Sequence, residues 1–279
     1  MALINTTGVK MENTLSFTDS HCHLDFDNFN ADLPSLLNQC YQAKIRNIVI
    51  PSIGPKNWQK VLTLTKTHSN EKLSLHACLG IHPWFLNDLT EHSLSDLAHL
   101  VKNNIDDIVA IGEAGIDGVI DKEQNNLALQ IQVFEHQIDL AKSFSLPIIV
   151  HHRRTHQDIT RILREKKTPQ GGIIHAFSGS YQQACQYIDL GFKLGIGGTI
   201  TYPRAEKTIK AVKRLPITSL VLETDAPSMP LYGFQGEDNS PLQLINVFQA
   251  LVKIRNESTE VLAHALQENI TAILPKLSS

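Results

Sequence analysis

The sequence predicts an α/β fold, a (β/α)8 TIM barrel, and three observations carry that prediction. Short β-branched runs recur along the chain, each is bounded by turn residues, and each is followed by a stretch with helical spacing. This is the alternation of parallel βαβ units. Eight runs occur: Phe17 to His23, Arg46 to Ser52, Leu73 to His82, Ile108 to Glu113, Leu146 to His151, Gly172 to His175, Phe192 to Thr199 and Ser219 to Asp225. With strand ends at His21, Ser52, His82, Glu113, His151, His175, Thr199 and Asp225, successive ends lie 24 to 38 residues apart, room for one helix and little else.

Taken in order, the elements support that phasing. After the first run, Leu33, Leu36, Leu37, Cys40 and Tyr41 share one helical face, the stripe of a helix laid on a sheet. The second run holds the continuous apolar triplet IVI, as a strand buried on both sides requires. Between the fourth and fifth runs, Leu127, Ile131, Phe134, Ile138 and Ala141 form a second apolar face. Pro147, Gly191 and Pro216 stop the helical pattern at the junctions into the fifth, seventh and eighth runs, and the fifth, sixth and eighth runs hold the apolar stretches PIIV, GII and LVL. No linker, low-complexity segment or charge block divides the chain, so residues 17–279 are expected to form one barrel domain and residues 1–16 a flexible N-terminal extension.

Composition narrows the function classes. The 279 residues are 42% hydrophobic and 19% charged, enough apolar matter for a full core. No apolar run approaches the ~18 residues that span a bilayer, and the opening MALINTTGVKMENTLS lacks the basic start and apolar stretch of a signal peptide. A cytoplasmic location without membrane attachment is expected, and no segment suggests an obligate protein partner. Cys22, Cys40, Cys78 and Cys185 form no C-x-x-C pair, so neither a disulfide framework nor a thiolate zinc site is indicated. A formal net charge of -3 confines any affinity for polyanions to a local patch.

The polar residues at the strand ends carry the functional signal. Five runs close on a histidine or carboxylate and a sixth on His82, at the C-terminal end of a barrel where active sites lie. His21 and His23 stand two apart, so in extended chain both rings face one side. Alone, an H-x-H pair is more often structural. With Glu113, His151, His175 and Asp225 from four other strands, it becomes a nitrogen and oxygen donor set suited to a divalent metal such as Zn, Mn or Mg. Six ligands exceed one tetrahedral ion, which predicts two ions bridged by Glu113. Arg153, two residues past His151, has the planar fork that suits a phosphate or carboxylate of the substrate, the other reading being a pair with a barrel carboxylate, and His82 is expected to contact substrate. Gly195, Gly197 and Gly198 lack nucleotide-loop spacing and are expected to leave room over the metal site. Arg204, Lys207, Lys210, Lys213 and Arg214 read as a solvated face, with a secondary reading as a steering patch for a polyanion.

The motifs Asp19-Ser-His-Cys-His-Leu-Asp25, Gly80-Ile-His-Pro83, Gly112-Glu-Ala-Gly-Ile-Asp117, His151-x-Arg153, His175-Ala-Phe-Ser-Gly179 and Glu223-Thr-Asp-Ala-Pro227 occur in order over nearly the whole chain. Together they resemble the TatD family of metal-dependent deoxyribonucleases. The segments Thr199-Ile-Thr-Tyr-Pro-Arg204 and Gly233-Phe-Gln-Gly236 are most similar to its less characterised hydrolase members. The resemblance implies a barrel of the metallo-dependent hydrolase type, with metal-ligand roles at His21, His23, Glu113, His151, His175 and Asp225. Two departures stand out: Gly118 follows Asp117 where an aromatic residue is common, and residues 231–241 contain Glu237 and Asp238 but no Lys or Arg.

These readings predict hydrolysis of a phosphodiester, DNA among the candidates, by water activated between two divalent ions. Asp225 is expected to take the water's proton, while His82 and Arg153 hold the phosphate. The first rival is an amidohydrolase acting on a lactone, amide or amino-substituted ring. The second is a barrel that binds without turnover.

Overall fold

In a computed structural model of the chain, residues 15–278 are described. The expected N-terminal extension therefore lies outside the described residues except for Leu15 and Ser16. Eight strands follow one another in a single parallel sheet, β1 to β8, each hydrogen-bonded to the next in sequence order. They are β1 Phe17–Asp19, β2 Ile45–Pro51, β3 Ser74–Leu79, β4 Ile108–Asp117, β5 Ile148–Arg153, β6 Gly172–Ile174, β7 Phe192–Ile196 and β8 Leu220–Leu222. Around them run α1 Leu33–Gln42, α2 Trp58–His68, α3 Ser93–Asn103, α4 Gly118–Gln124, α5 Leu127–Ser143, α6 His156–Lys166, α7 Tyr181–Asp189, α8 Glu206–Arg214, α9 Leu244–Ile254 and α10 Thr259–Ile273.

The chain closes the sheet just past its regular strands. Ser20 donates its amide to the Leu222 carbonyl at 2.9 Å, Asp225 to His21 at 2.9 Å and His23 to Ala226 at 2.8 Å. These three bonds stitch the ends of β1 and β8 together where His21, His23 and Asp225 sit. Burial of both strand faces explains the apolar runs: Ile48, Val49, Ile50, Ile148, Ile149 and Val150 are all fully buried. The stripes predicted on α1 and α5 also point inward, with Leu33, Leu37, Cys40, Phe134, Ile138 and Ala141 buried.

Strand lengths differ from expectation in an instructive way. β1, β2, β3, β6, β7 and β8 stop short of the predicted ends, and His21, His82, His175 and Asp225, which follow four of them, lie in the barrel mouth. β4 instead continues past Glu113 to Asp117, and its pairing with β5 shifts register between Ile111 and Ala114. A bulge of this kind re-aims a side chain, and Glu113 is the residue it turns. β5 continues to Arg153, as the predicted role of that arginine requires.

Candidate metal centre

Glu113 lies at the centre of the mouth and its two oxygens face different neighbours. Oε2 stands 3.1 Å from His21 Nε2 and 3.4 Å from His23 Nε2. Oε1 stands 2.9 Å from His151 Nδ1 and 3.4 Å from His82 Nε2. Asp225 completes the first side, its Oδ1 lying 3.6 Å from His21 Nε2, 3.7 Å from His23 Nε2 and 3.5 Å from His175 Nε2. His21 and His23 bring their Nε2 atoms within 3.2 Å of each other, so extended backbone beyond β1 presents both rings to one side as predicted.

All six residues singled out from the strand ends thus converge. His82, expected on the substrate side, joins them and groups with Glu113 and His151. It starts the short 3-10 turn Pro83–Asp88, where its Nδ1 accepts the Trp84 amide at 3.1 Å, leaving Nε2 to face the cluster. Arg153 lies at the exposed end of β5 and lines the same cavity.

A divalent ion fits this donor set. Five imidazoles and two carboxylates meet in a buried space, and the nearest positive charges they offer one another are their own protons. Burial favours neutral forms; it lowers His82 to about 4, despite Glu113 beside it. Burial also opposes ionisation of Glu113 and Asp225, yet the surrounding histidines hold both carboxyls below the usual range. Divalent cations would satisfy the lone pairs that His21, His23, His151 and His175 turn to the cluster and offset the charge of both carboxylates.

The supporting shell contains the residues that sequence reasoning missed. Asp117, fully buried, places Oδ2 3.1 Å from His151 Nε2 and accepts the Trp84 indole N–H at 2.7 Å. That arrangement directs His151 Nδ1 toward Glu113. Glu223 sets Oε1 3.1 Å from His175 Nδ1 and accepts the Ala176 amide at 2.6 Å, leaving His175 Nε2 to face Asp225. Asp19 ties the closing strands by accepting the Thr224 hydroxyl at 2.6 Å, the Thr224 amide at 3.0 Å and the His21 amide at 3.2 Å. Such partners fix the tautomer and orientation of metal-binding histidines. A signal was present: Asp19, Asp117 and Glu223 are charges at or near the ends of buried runs, as the six residues of the mouth are.

Gly195 serves a different purpose from the one its position in the sequence suggests. A Cβ on Gly195 would fall 2.0 Å from Glu223 Oε2, so Gly195 makes room for the carboxylate behind His175. It does not leave space over the metal site.

Above the cluster opens a cavity of about 450 Å³. It is lined by the apolar Phe26, Ile53, Trp84, Phe85 and Met229 and by the polar Arg153, Ser178 and Ser228, besides the cluster itself. No helix among the described residues is long and apolar enough to cross a membrane.

A parallel barrel with histidines and carboxylates gathered at the C-terminal strand ends defines a metal-dependent hydrolase. The TatD-related DNase family model matches residues 18–275, and the chain belongs to that family. It is 41% identical over 253 residues to YjjV, an uncharacterized metal-dependent hydrolase of Escherichia coli K12, covering 91% of this chain and 95% of the relative. An uncharacterized metal-dependent hydrolase of Haemophilus influenzae is 37% identical, with 93% and 99% covered. The crystal structure of the Escherichia coli YjjV TatD homologue superposes with a TM-score of 0.89 over 94% of this chain and 99% of that one. The protein is therefore a TatD-type metal-dependent hydrolase that uses divalent metal.

Proposed function

We propose that the protein hydrolyses phosphodiesters, that His21, His23, Glu113, His151, His175 and Asp225 hold two divalent ions, and that His82, whose Nδ1 accepts the Trp84 amide and whose Nε2 therefore carries the proton, contacts the substrate. The observation that carries the substrate class is Arg153, the sole Lys or Arg among the residues lining the cavity over an otherwise acidic and imidazole-rich floor. A guanidinium there suits a phosphate oxygen. Glu113, facing one group of donors with each oxygen, supports the count of two. Imidazole-rich donors favour zinc or manganese over magnesium, which prefers oxygen ligands and retained water.

Bound divalent ions supply a lowered water pKa, toward ~7, and stabilise charge on the phosphoryl oxygens. The chain's residues do the rest. Asp225 Oδ1, aimed into the mouth, accepts the proton of the attacking water. Arg153 grips a non-bridging phosphate oxygen and sets the phosphorus in line for attack, while His82 approaches the phosphate from the His151 side. The wall of Phe26, Trp84 and Phe85 takes the apolar part of the substrate and excludes bulk water.

The reading is tested by assaying metal-loaded protein on bis(p-nitrophenyl) phosphate, a DNA strand and a simple lactone. Turnover of the diesters that stops on chelation is expected. Turnover of the lactone alone would transfer the protein to the amidohydrolase class.

A further inference from the structure

The buried face of α5 carries two glutamines where a helix laid on a barrel is ordinarily apolar. Gln130 is 1% exposed and Gln137 is fully buried. They stand almost two helical turns apart, so both point to the same side of the helix. A primary amide withdrawn from water costs free energy unless its oxygen and nitrogen are both bonded, and here each amide closes on the backbone of a single residue. Gln137 Oε1 accepts the Ile81 amide at 2.7 Å, and its Nε2 donates to the Ile81 carbonyl at 3.0 Å. Gln130 Oε1 accepts the Asp117 amide at 2.7 Å, and its Nε2 donates to the Asp117 carbonyl at 3.2 Å and to Asn126 Oδ1 at 2.6 Å.

Both contacts fall where the sheet no longer joins these runs. β3 pairs with β4 only as far as Leu79 and Ile111, and Ile81 and Asp117 lie beyond that point. The amides supply bonds that the ladder does not, and two bonds to one residue fix its direction as well as its place. Ile81 precedes His82, whose Nε2 lies 3.4 Å from Glu113 Oε1 and 3.2 Å from His151 Nδ1. Asp117 sets Oδ2 3.1 Å from His151 Nε2. The two imidazoles on the Oε1 side of Glu113 are thus each seated, at one remove, by a glutamine of α5. On the Oε2 side, the backbone bonds between the ends of β1 and β8 serve that purpose.

We propose that Gln130 and Gln137 are positioning residues for the reaction, Gln130 acting through Asp117 on His151 and Gln137 acting through Ile81 on His82. The inference rests on the roles proposed above for those two histidines, one as metal ligand and one as substrate contact.

The test uses Gln130→Met and Gln137→Met, which keep side-chain length and remove both bonds. Gln130→Glu and Gln137→Glu, which keep the acceptor, take their place should a methionine variant fail to melt cooperatively. By calorimetric titration, Gln130→Met should weaken one ion about tenfold, with under about twofold further loss in the Asp117→Asn background, because residues that act through one another do not add. Gln137→Met should hold metal affinity within about twofold and lower kcat/KM on bis(p-nitrophenyl) phosphate about tenfold, with little further loss in the His82→Ala background. Ring nitrogen chemical shifts in the zinc-loaded full-length protein separate the inference from the readings beneath it. Gln130→Met should move chiefly those of His151, and Gln137→Met those of His82, whatever wild type cleaves. If wild type cleaves no diester, or Asp117→Asn binds metal normally, the reading of function or of ligation fails and the shifts decide the positioning role. Variants that lose melting temperature alone, with affinity, turnover and shifts as in wild type, would overturn the proposal, as would losses that multiply in the double variants.

Discussion

At the scale of single residues, the site is organised by which atom of each side chain is spoken for. Asp117 uses Oδ1 to cap α4 through the Val119 and Ile120 amides, at 2.7 and 3.1 Å, and turns Oδ2 to His151. In Asp117→Asn, keeping the oxygen on the cap presents an amide N–H2 to His151 Nε2. That nitrogen must then accept, Nδ1 takes the proton, and the atom facing Glu113 loses its lone pair. One ion should bind about 10- to 100-fold more weakly, with helix content unchanged; calorimetric titration showing both ions at wild-type affinity would refute the tautomer argument. Asp225 carries a different load, as proposed ligand and proton acceptor. Its backbone sits at φ 59, a left-handed conformation rarely adopted by non-glycine residues, of the kind that clusters at functional sites. Asp225→Asn should lower turnover by about 10² to 10⁴ at full metal loading. Glu113→Gln should act mainly on occupancy, because a neutral amide bridges two cations poorly. Near wild-type turnover in metal-loaded Asp225→Asn would pass the base role to another group, His82 first.

At the scale of elements, the strand ends decide function, and they also mark how far sequence reasoning reached. The barrel and its eight strands were legible because burial on both faces forces unbroken runs such as Ile48–Val49–Ile50. The six residues at the mouth were legible because a polar side chain closing a buried apolar run calls for a partner, although Asp19, Asp117 and Glu223 close runs as well and support the six instead of joining them. His82 was legible as a residue of the mouth, but its 3.4 Å approach to Glu113 was not, since that depends on the turn that follows β3. Nor was the purpose of Gly195, which faces Glu223 across β7 and β8, a contact that sequence spacing does not reveal. Gly195→Ala should displace that carboxylate and release His175, weakening metal binding without touching a proposed ligand and costing about 1–3 kcal/mol of stability. A melt and a metal titration both matching wild type would contradict this. His175 also sets a pH dependence. Burial disfavours its charge, but Glu223 and Asp225 outweigh burial and raise its pKa well above 6.5. Only neutral imidazole ligates, so metal competes with that proton. Metal affinity should fall as pH decreases, with the fall already under way above 6.5; a titration flat down to pH 6 would be inconsistent with that environment.

At the scale of the whole molecule, the two proposed ions would join strands that are distant along the chain, so binding metal and holding the mouth of the barrel together become one process. His21 and Asp225 stand at opposite ends of the sequence, and three backbone bonds join their segments. Metal that binds only the folded chain should stabilise it by about 2.7 kcal/mol at a free concentration of 100 Kd, seen as a rise in Tm that chelator reverses. The metal content of the active protein is the most direct measurement. Elemental analysis of protein purified without added metal, paired with diester turnover before and after exhaustive chelation, should give about two equivalents of zinc or manganese per chain. It should also show activity that disappears with the metal and returns on its re-addition. Full turnover by protein shown to contain no metal would contradict the account.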